Sequence, residues 1–109
     1  MKKIIALLLA AVMVMCLFAG CASSGGSKVI KIGVFEPQSG DNGAGGKQEV
    51  LGMQYANYVQ PTVEIGGETY DVKLEIVDNR TTAENGPSAA SELMNRGVSI
   101  VLGSYGSGV

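Results

Sequence analysis

The chain has 109 residues and contains no histidine. Without an imidazole, histidine general-base chemistry and histidine-ligated zinc are excluded. There are only two cysteines, Cys16 and Cys21, and both lie near the N-terminus. Positive charge is scarce too: eight Lys and Arg stand against ten Asp and Glu, a formal charge of −2. A nucleic-acid binder needs a basic face to displace counterions, and this balance does not supply one. Neither a Ser-His-Asp set, nor a Cys-His pair, nor a metal-ligand cluster can be assembled, which argues against an enzyme. The length allows one domain at most.

Long apolar runs are confined to one place. After Lys2-Lys3, residues Ile4 to Gly20 carry no charge. A basic start, an apolar run and small residues at its end describe a secretory signal peptide. The run of 17 residues is short for a permanent span, which takes roughly 20. Leu17-Phe18-Ala19-Gly20-Cys21 resembles the lipobox of bacterial lipoproteins, although Phe18 stands where that family usually has Leu. The resemblance implies cleavage after residue 20 and acylation of Cys21, placing the protein outside the cytoplasm on a lipid anchor. Several acyl chains, at about 0.8 kcal/mol per buried methylene, hold a protein stably at a bilayer. Cleavage leaves 89 residues with a net charge of −4, and discards Cys16 so that no disulfide can form. Residues 21–27 then form the lipidated Cys and a tether of Ala, Ser and Gly, too small and polar to build a core.

The folded part is expected over 28–109. Lys28 to Phe35 reads as a strand apolar on both faces, as in a covered parallel sheet. Pro37 to Gly46 holds four glycines and reads as a loop. A helix is expected from near Lys47 to Pro61, with Leu51, Tyr55, Ala56 and Val59 as its core stripe and Gly52 on the buried side. Gly66-Gly67 suggests a small hairpin between Val63–Ile65 and Glu68–Tyr70. Val72 to Val77 alternates like an edge strand. A second helix ends at Arg96, with Ala90, Leu93 and Met94 as its core face and Gly97 as its stop. Its start is open between Thr82 as cap and Gly86 as cap with Pro87 following. Val98 to Leu102 is the last main strand. The order β-α-β-α-β is half of a doubly wound parallel-sheet lobe in an α/β protein.

Ligands in such sheets bind beyond the carboxyl ends of the strands, where strand order reverses. With the main strands ordered 2-1-3, the loops Pro37–Gly46 and Gly103–Gly108 share one crevice. Glycines allow a ligand to approach the backbone, and a helix N-terminus favours a carboxylate or phosphate. Ser104, Tyr105 and Ser107 add hydroxyls. Nucleotide fingerprints fail: Gly43-Ala44-Gly45 begins a dinucleotide motif, but Gln48 stands where its last glycine belongs. For a P-loop, Gly46-Lys47 fits, whereas Gln48 and Asp41 do not. Glu36 and Asp78 end strands near the crevice and are expected to be solvated loop acids. Asn79-Arg80-Thr81 is a chance glycosylation sequon.

Taken together, Lys31-Ile32-Gly33-Val34, Ser39-Gly40, Ala44 to Gln48, Gly52-Met53-Gln54, Leu74 to Asn79 and Gly97 to Gly103 resemble one family. It is the extracytoplasmic solute-binding protein of branched-chain amino acid ABC transporters, with the type I periplasmic binding fold. The resemblance implies a receptor that closes two α/β lobes on an amino acid or amide and delivers it to ABC permease subunits, without a cofactor. It implies Ser107 as the ligand-carboxylate hydroxyl, helped by the amides of Tyr105, Gly106 and Gly108, and Gly45 at the cleft mouth. It also implies a much longer chain, of which these residues are the N-terminal part of the first lobe. A sensory lipoprotein of the same fold and a small structural surface lipoprotein are the alternatives.

Overall fold

The computed structural model describes residues 28–109. The expected signal peptide 1–20, Cys21 and the tether 22–27 lie outside the described residues. The elements run β1 (Val29–Glu36), α1 (Gly43–Val59), β2 (Thr62–Ile65), β3 (Glu68–Asp78), α2 (Gly86–Asn95) and β4 (Ile100–Leu102). They form an α/β unit around one four-stranded sheet in the order β2-β3-β1-β4.

The strand most apolar in sequence takes the central position. β1 pairs in parallel with β3 from Val29↔Asp71 to Glu36↔Asp78, and with β4 from Ile32↔Ile100 to Val34↔Leu102. The three parallel strands therefore stand in the 2-1-3 order that a shared crevice requires, and their following loops open at one end of the sheet. The Gly66-Gly67 hairpin forms as expected, with Ile65↔Glu68 next to the turn. Both glycines have the positive φ that such a turn needs. Its second arm runs straight into the alternating segment, so Glu68–Asp78 is one strand. The expectation of an edge strand at Val72–Val77 is thus corrected, because β2 covers that side. The true edges are β2 and β4, and β4 is two residues shorter at its start than expected. Its missing residue Val98 packs instead against the cluster of Val77, Ala89 and Leu93.

The helices lie on opposite faces, because alternate residues of a strand point to opposite sides. Leu93 of α2 approaches Gly33 and so covers the Gly33/Phe35 face. α1 covers the other, which carries Ile32, Val34 and Leu74. Among the described residues, Val34, Val50, Val77, Ala89 and Leu93 are the buried hydrophobic ones. Fully burying a side chain such as Leu93 is worth about 1.5–3 kcal/mol.

Both helix faces differ from expectation. α1 turns Gly43, Gly46 and Val50 inward, with Met53 and Asn57 half-buried behind them. Leu51, Tyr55 and Val59 are exposed, as are Ala56 and Gly52. The expected stripe is real but looks away from the sheet. Its own facing stripe contains glycine and asparagine, so hydrophobicity alone does not pick it out. In α2 Leu93 is buried as expected, but its buried companions are Gly86 and Ala89; Ala90 is half-buried and Met94 exposed. α2 begins at Gly86 with Pro87 in its first turn, where a missing N–H leaves no bond unmade. Thr82 still organises the approach, since its Oγ1 accepts from the Asn85 amide at 3.3 Å and from Asn85 Nδ2 at 2.6 Å. Gly97 ends the helix with φ 71°, as expected.

Candidate functional site

The parallel strands end in three loops: 37–42 after β1, 79–85 after β3 and 103–108 after β4. The expected loop 37–46 is shorter than read from sequence, because Gly43 to Gly46 form the first turn of α1. Glycine is a poor helix former, at about 1 kcal/mol per residue against alanine. Here it permits contact. A Cβ at Gly46 would run into the Pro37 carbonyl, and a Cβ at Gly45 would run into the Tyr105 ring. The chain after β4 is thereby laid directly on the start of α1.

Tyr105 is also tied from below. Its amide donates to Glu36 Oε2 at 2.7 Å. Gly103, at φ 122°, takes a conformation L side chains rarely adopt, and a Cβ there would strike the Phe35 carbonyl. Gly106 packs against the Asn42 side chain. The two corners read from sequence do meet over one end of the sheet.

The loop after β3 is joined to the same end by polar side chains. Asp78 Oδ1 accepts from the amides of Gln38 and Arg80, both at 2.8 Å, and its Oδ2 accepts from the Ser39 hydroxyl at 2.6 Å. Burial opposes the charge on Asp78, but these donors outweigh it and hold the carboxyl below its usual range. Asn79 is fully buried. Its Nδ2 donates to Ser104 Oγ at 2.8 Å and its Oδ1 accepts from the Thr81 amide at 3.1 Å. Thr81 Oγ1 donates to the Ser39 carbonyl at 3.0 Å and accepts from the Asn42 amide at 3.2 Å. These bonds hold Arg80 and Thr81 at φ 57° and 62°, the left-handed region that non-glycine residues seldom enter.

Glu36 is not the solvated loop acid expected. It is 0% exposed. The strand pairing places it inside, beneath the 103–108 loop, rather than past the strand's end. Asp78 is half-buried and fully engaged, so it too departs from the solvated reading. The burial of Asn79 agrees with reading its sequon as chance, since a glycan needs an exposed acceptor.

Of the residues implied by the resemblance, Gly45 and Tyr105 are in contact. Tyr105 is exposed, but its N–H is engaged by Glu36, so it offers its ring and hydroxyl outward. Gly106 and Ser107 are exposed on the same loop, and among the described residues Ser107 shows no hydrogen bond. Ser104 Oγ accepts from Asn79 Nδ2 and donates to the Tyr105 carbonyl. Glu36, Asp78 and Asn79 were missed as organisers of this end. Their only sequence signal is position, an acid or amide at the last residues of two adjacent parallel strands.

A second concavity lies elsewhere. An apolar groove of about 440 Å³ runs between α1 and the sheet, with Ile32, Met53, Leu74 and Leu102 among its lining residues. It offers few polar groups with which to orient a ligand. Among the described residues, no cluster of three or more Cys, Asp or Glu could hold a metal ion. Among them, no helix is long and apolar enough to cross a membrane.

The fold and this loop cluster define an α/β protein with a mostly parallel sheet whose polar end gathers three loops. The chain matches no family model, no curated protein and no solved structure.

Proposed function

We propose that residues 28–109 are the N-terminal part of the first lobe of an extracytoplasmic solute-binding protein. The lobe would serve an ABC transporter and bind a branched-chain amino acid or a related small amino acid or amide. Residues 1–20 would be its signal peptide and Cys21 its lipid anchor. The observation that carries the reading is the meeting of the two corners, Tyr105 laid on Gly45 over the ends of β1 and β4. It leaves Gly106, Ser107 and Gly108 exposed beside a helix N-terminus, a setting that favours an anionic group. The mechanism is binding and lobe closure with no bond made or broken. Permease subunits would be the partners.

The first test is the coding DNA. The reading expects an in-frame continuation past Val109 encoding a hinge and a second lobe, beside genes for a permease and an ATPase. Neighbouring sensor-kinase genes would favour a sensory lipoprotein instead. Calorimetric titration of that product with leucine, isoleucine, valine and their amides should show binding. Ser107→Ala should weaken carboxylate-bearing ligands by about 1–3 kcal/mol, the cost of stranding a buried charged partner. A stop codon directly after Val109, or affinity unchanged by Ser107→Ala, removes the reading or its central residue.

A further inference from the structure

The face of α1 that looks away from the sheet is apolar. Leu51, Tyr55, Tyr58 and Val59 recur at helical spacing, so they share one side, and each is more than half exposed. That side lacks the charges an exposed helix ordinarily carries. From Val50 to Val63 the chain holds no charged residue. Its two rings are tyrosines, whose apolar body and polar hydroxyl suit a boundary between hydrocarbon and water.

The strand register says where this face lies. Just past α1, Thr62 pairs with Asp71, and Asp71 pairs with Val29 at the start of β1. The Pro61 carbonyl accepts from the Val72 amide at 2.8 Å. The last turn of α1 therefore stands level with the start of β1, at the end of the sheet opposite the three loops. On the lipid-anchor reading, on which this inference rests, the bilayer is held at that same end. The seven steps from Cys21 to Lys28 reach at most about 25 Å. The anchor thus keeps the apolar face of α1 close to lipid.

Lipid fits this face better than it fits the apolar strand edge. A bilayer offers no hydrogen-bond partners, so it accepts a helix, whose backbone is satisfied internally. Among the described residues, the outer edge of β4 has no neighbouring strand, and its free amides and carbonyls call for one. The net charge of −4 after cleavage gives no attraction to acidic headgroups, so the matching surface is zwitterionic.

We propose that Leu51, Tyr55, Tyr58 and Val59 rest on the zwitterionic bilayer surface that holds Cys21. The stripe is about 12 Å long, too small to hold a membrane alone, and acts as the second of two contacts beside the anchor. It sets the orientation of the lobe, with α1 between sheet and membrane and α2 facing away.

The experiment expresses the full coding sequence in a bacterial host with 3-fluorotyrosine and purifies the chain from the host membrane. The chain is placed in phosphatidylcholine nanodiscs holding one copy each, and fluorine NMR is recorded with and without spin-labelled phosphatidylcholine. The reporters are Tyr55, Tyr58, Tyr70 and Tyr105. The label should erase the Tyr55 and Tyr58 signals and spare Tyr105, which lies at the loop end. Val59→Glu, which sets a charge on the face, should restore Tyr55 and Tyr58, while an unmoved Tyr105 signal shows that the fold is kept. Tyr55 and Tyr58 signals that survive the label in loaded discs overturn the proposal and leave the anchor standing. Equal loss at all four tyrosines overturns it as well. Loss confined to discs holding two copies would mean that a second copy covers the face, which also overturns it. A chain absent from the host membrane removes the anchor reading itself, and the proposal with it.

Discussion

The loop end of the sheet and its open flank invert the usual sorting of side chains. At the loop end Glu36 and Asn79 are fully buried. Along the flank, Ile100, Val101 and Leu102 of the edge strand are exposed, as are Leu51, Tyr55, Tyr58 and Val59 on α1. The loop end holds its shape through side-chain hydrogen bonds to backbone amides and hydroxyls: Asp78 to three donors, Asn79 to Ser104, Glu36 to Tyr105. Such bonds are short-range and directional. They fix the loops without a large apolar core beneath them, because each buried polar group is costly in any other arrangement. The flank has apolar material but no such specification. The loop end should therefore respond sharply to single changes, and the flank should hardly respond.

The largest effect is expected at Gly103. A Gly103→Ala change adds a methyl where the Phe35 carbonyl and Glu36 Oε1 already sit, at a φ that suits glycine. Backbone strain of about 1–3 kcal/mol combines with the collision, so chemical denaturation should show a loss above about 3 kcal/mol. A loss under about 1 kcal/mol would mean that the loop readily moves off the sheet, and the contrast with the flank would fail.

Asn79→Ala comes next. It removes the bond to Ser104 and frees the Thr81 amide, and should cost about 1–3 kcal/mol. Faster hydrogen exchange at Thr81 should accompany it. Asp78→Asn probes the same network through pH. The Asp78 carboxyl is held below its usual range, so its contribution is present above about pH 4 and lost as pH falls through the lowered value. The variant should be less stable at neutral pH and lose less than wild type on acidification below pH 4. A matching acid loss in both would show that other carboxylates dominate, with Glu75 the first to consider. Burial opposes its charge, but Lys73, Lys31 and Arg96 together outweigh burial and hold its carboxyl low.

What could be read from the sequence follows the same division. The hairpin and the stop at Gly97 were legible, because Gly-Gly turns and a left-handed cap are local signals. The facing side of α1 was not. Its inward stripe is Gly43, Gly46, Val50, Met53 and Asn57, which carries less apolar surface than the outward one. Periodicity finds the larger stripe, and here the larger stripe is unpacked. The meeting of the two corners was legible from glycine content and topology. The polar hub beneath them was not, since Glu36 reaches Tyr105 across 69 positions of sequence and no local pattern announces such a bond.

The flank supplies the smallest prediction and the most direct check on the comparison. Tyr58 is 82% exposed on α1, at a position that faces neither the sheet nor the loops. Tyr58→Ser removes a large apolar side chain that is already in water, so denaturation should move by no more than about 0.5 kcal/mol. Sedimentation should change more than stability, because exposed apolar stripes and an uncovered β4 edge favour self-association. A loss of more than about 1 kcal/mol would mean that this surface is covered in solution. In that case α1 buries two stripes rather than one, and the flank belongs to the packed core after all.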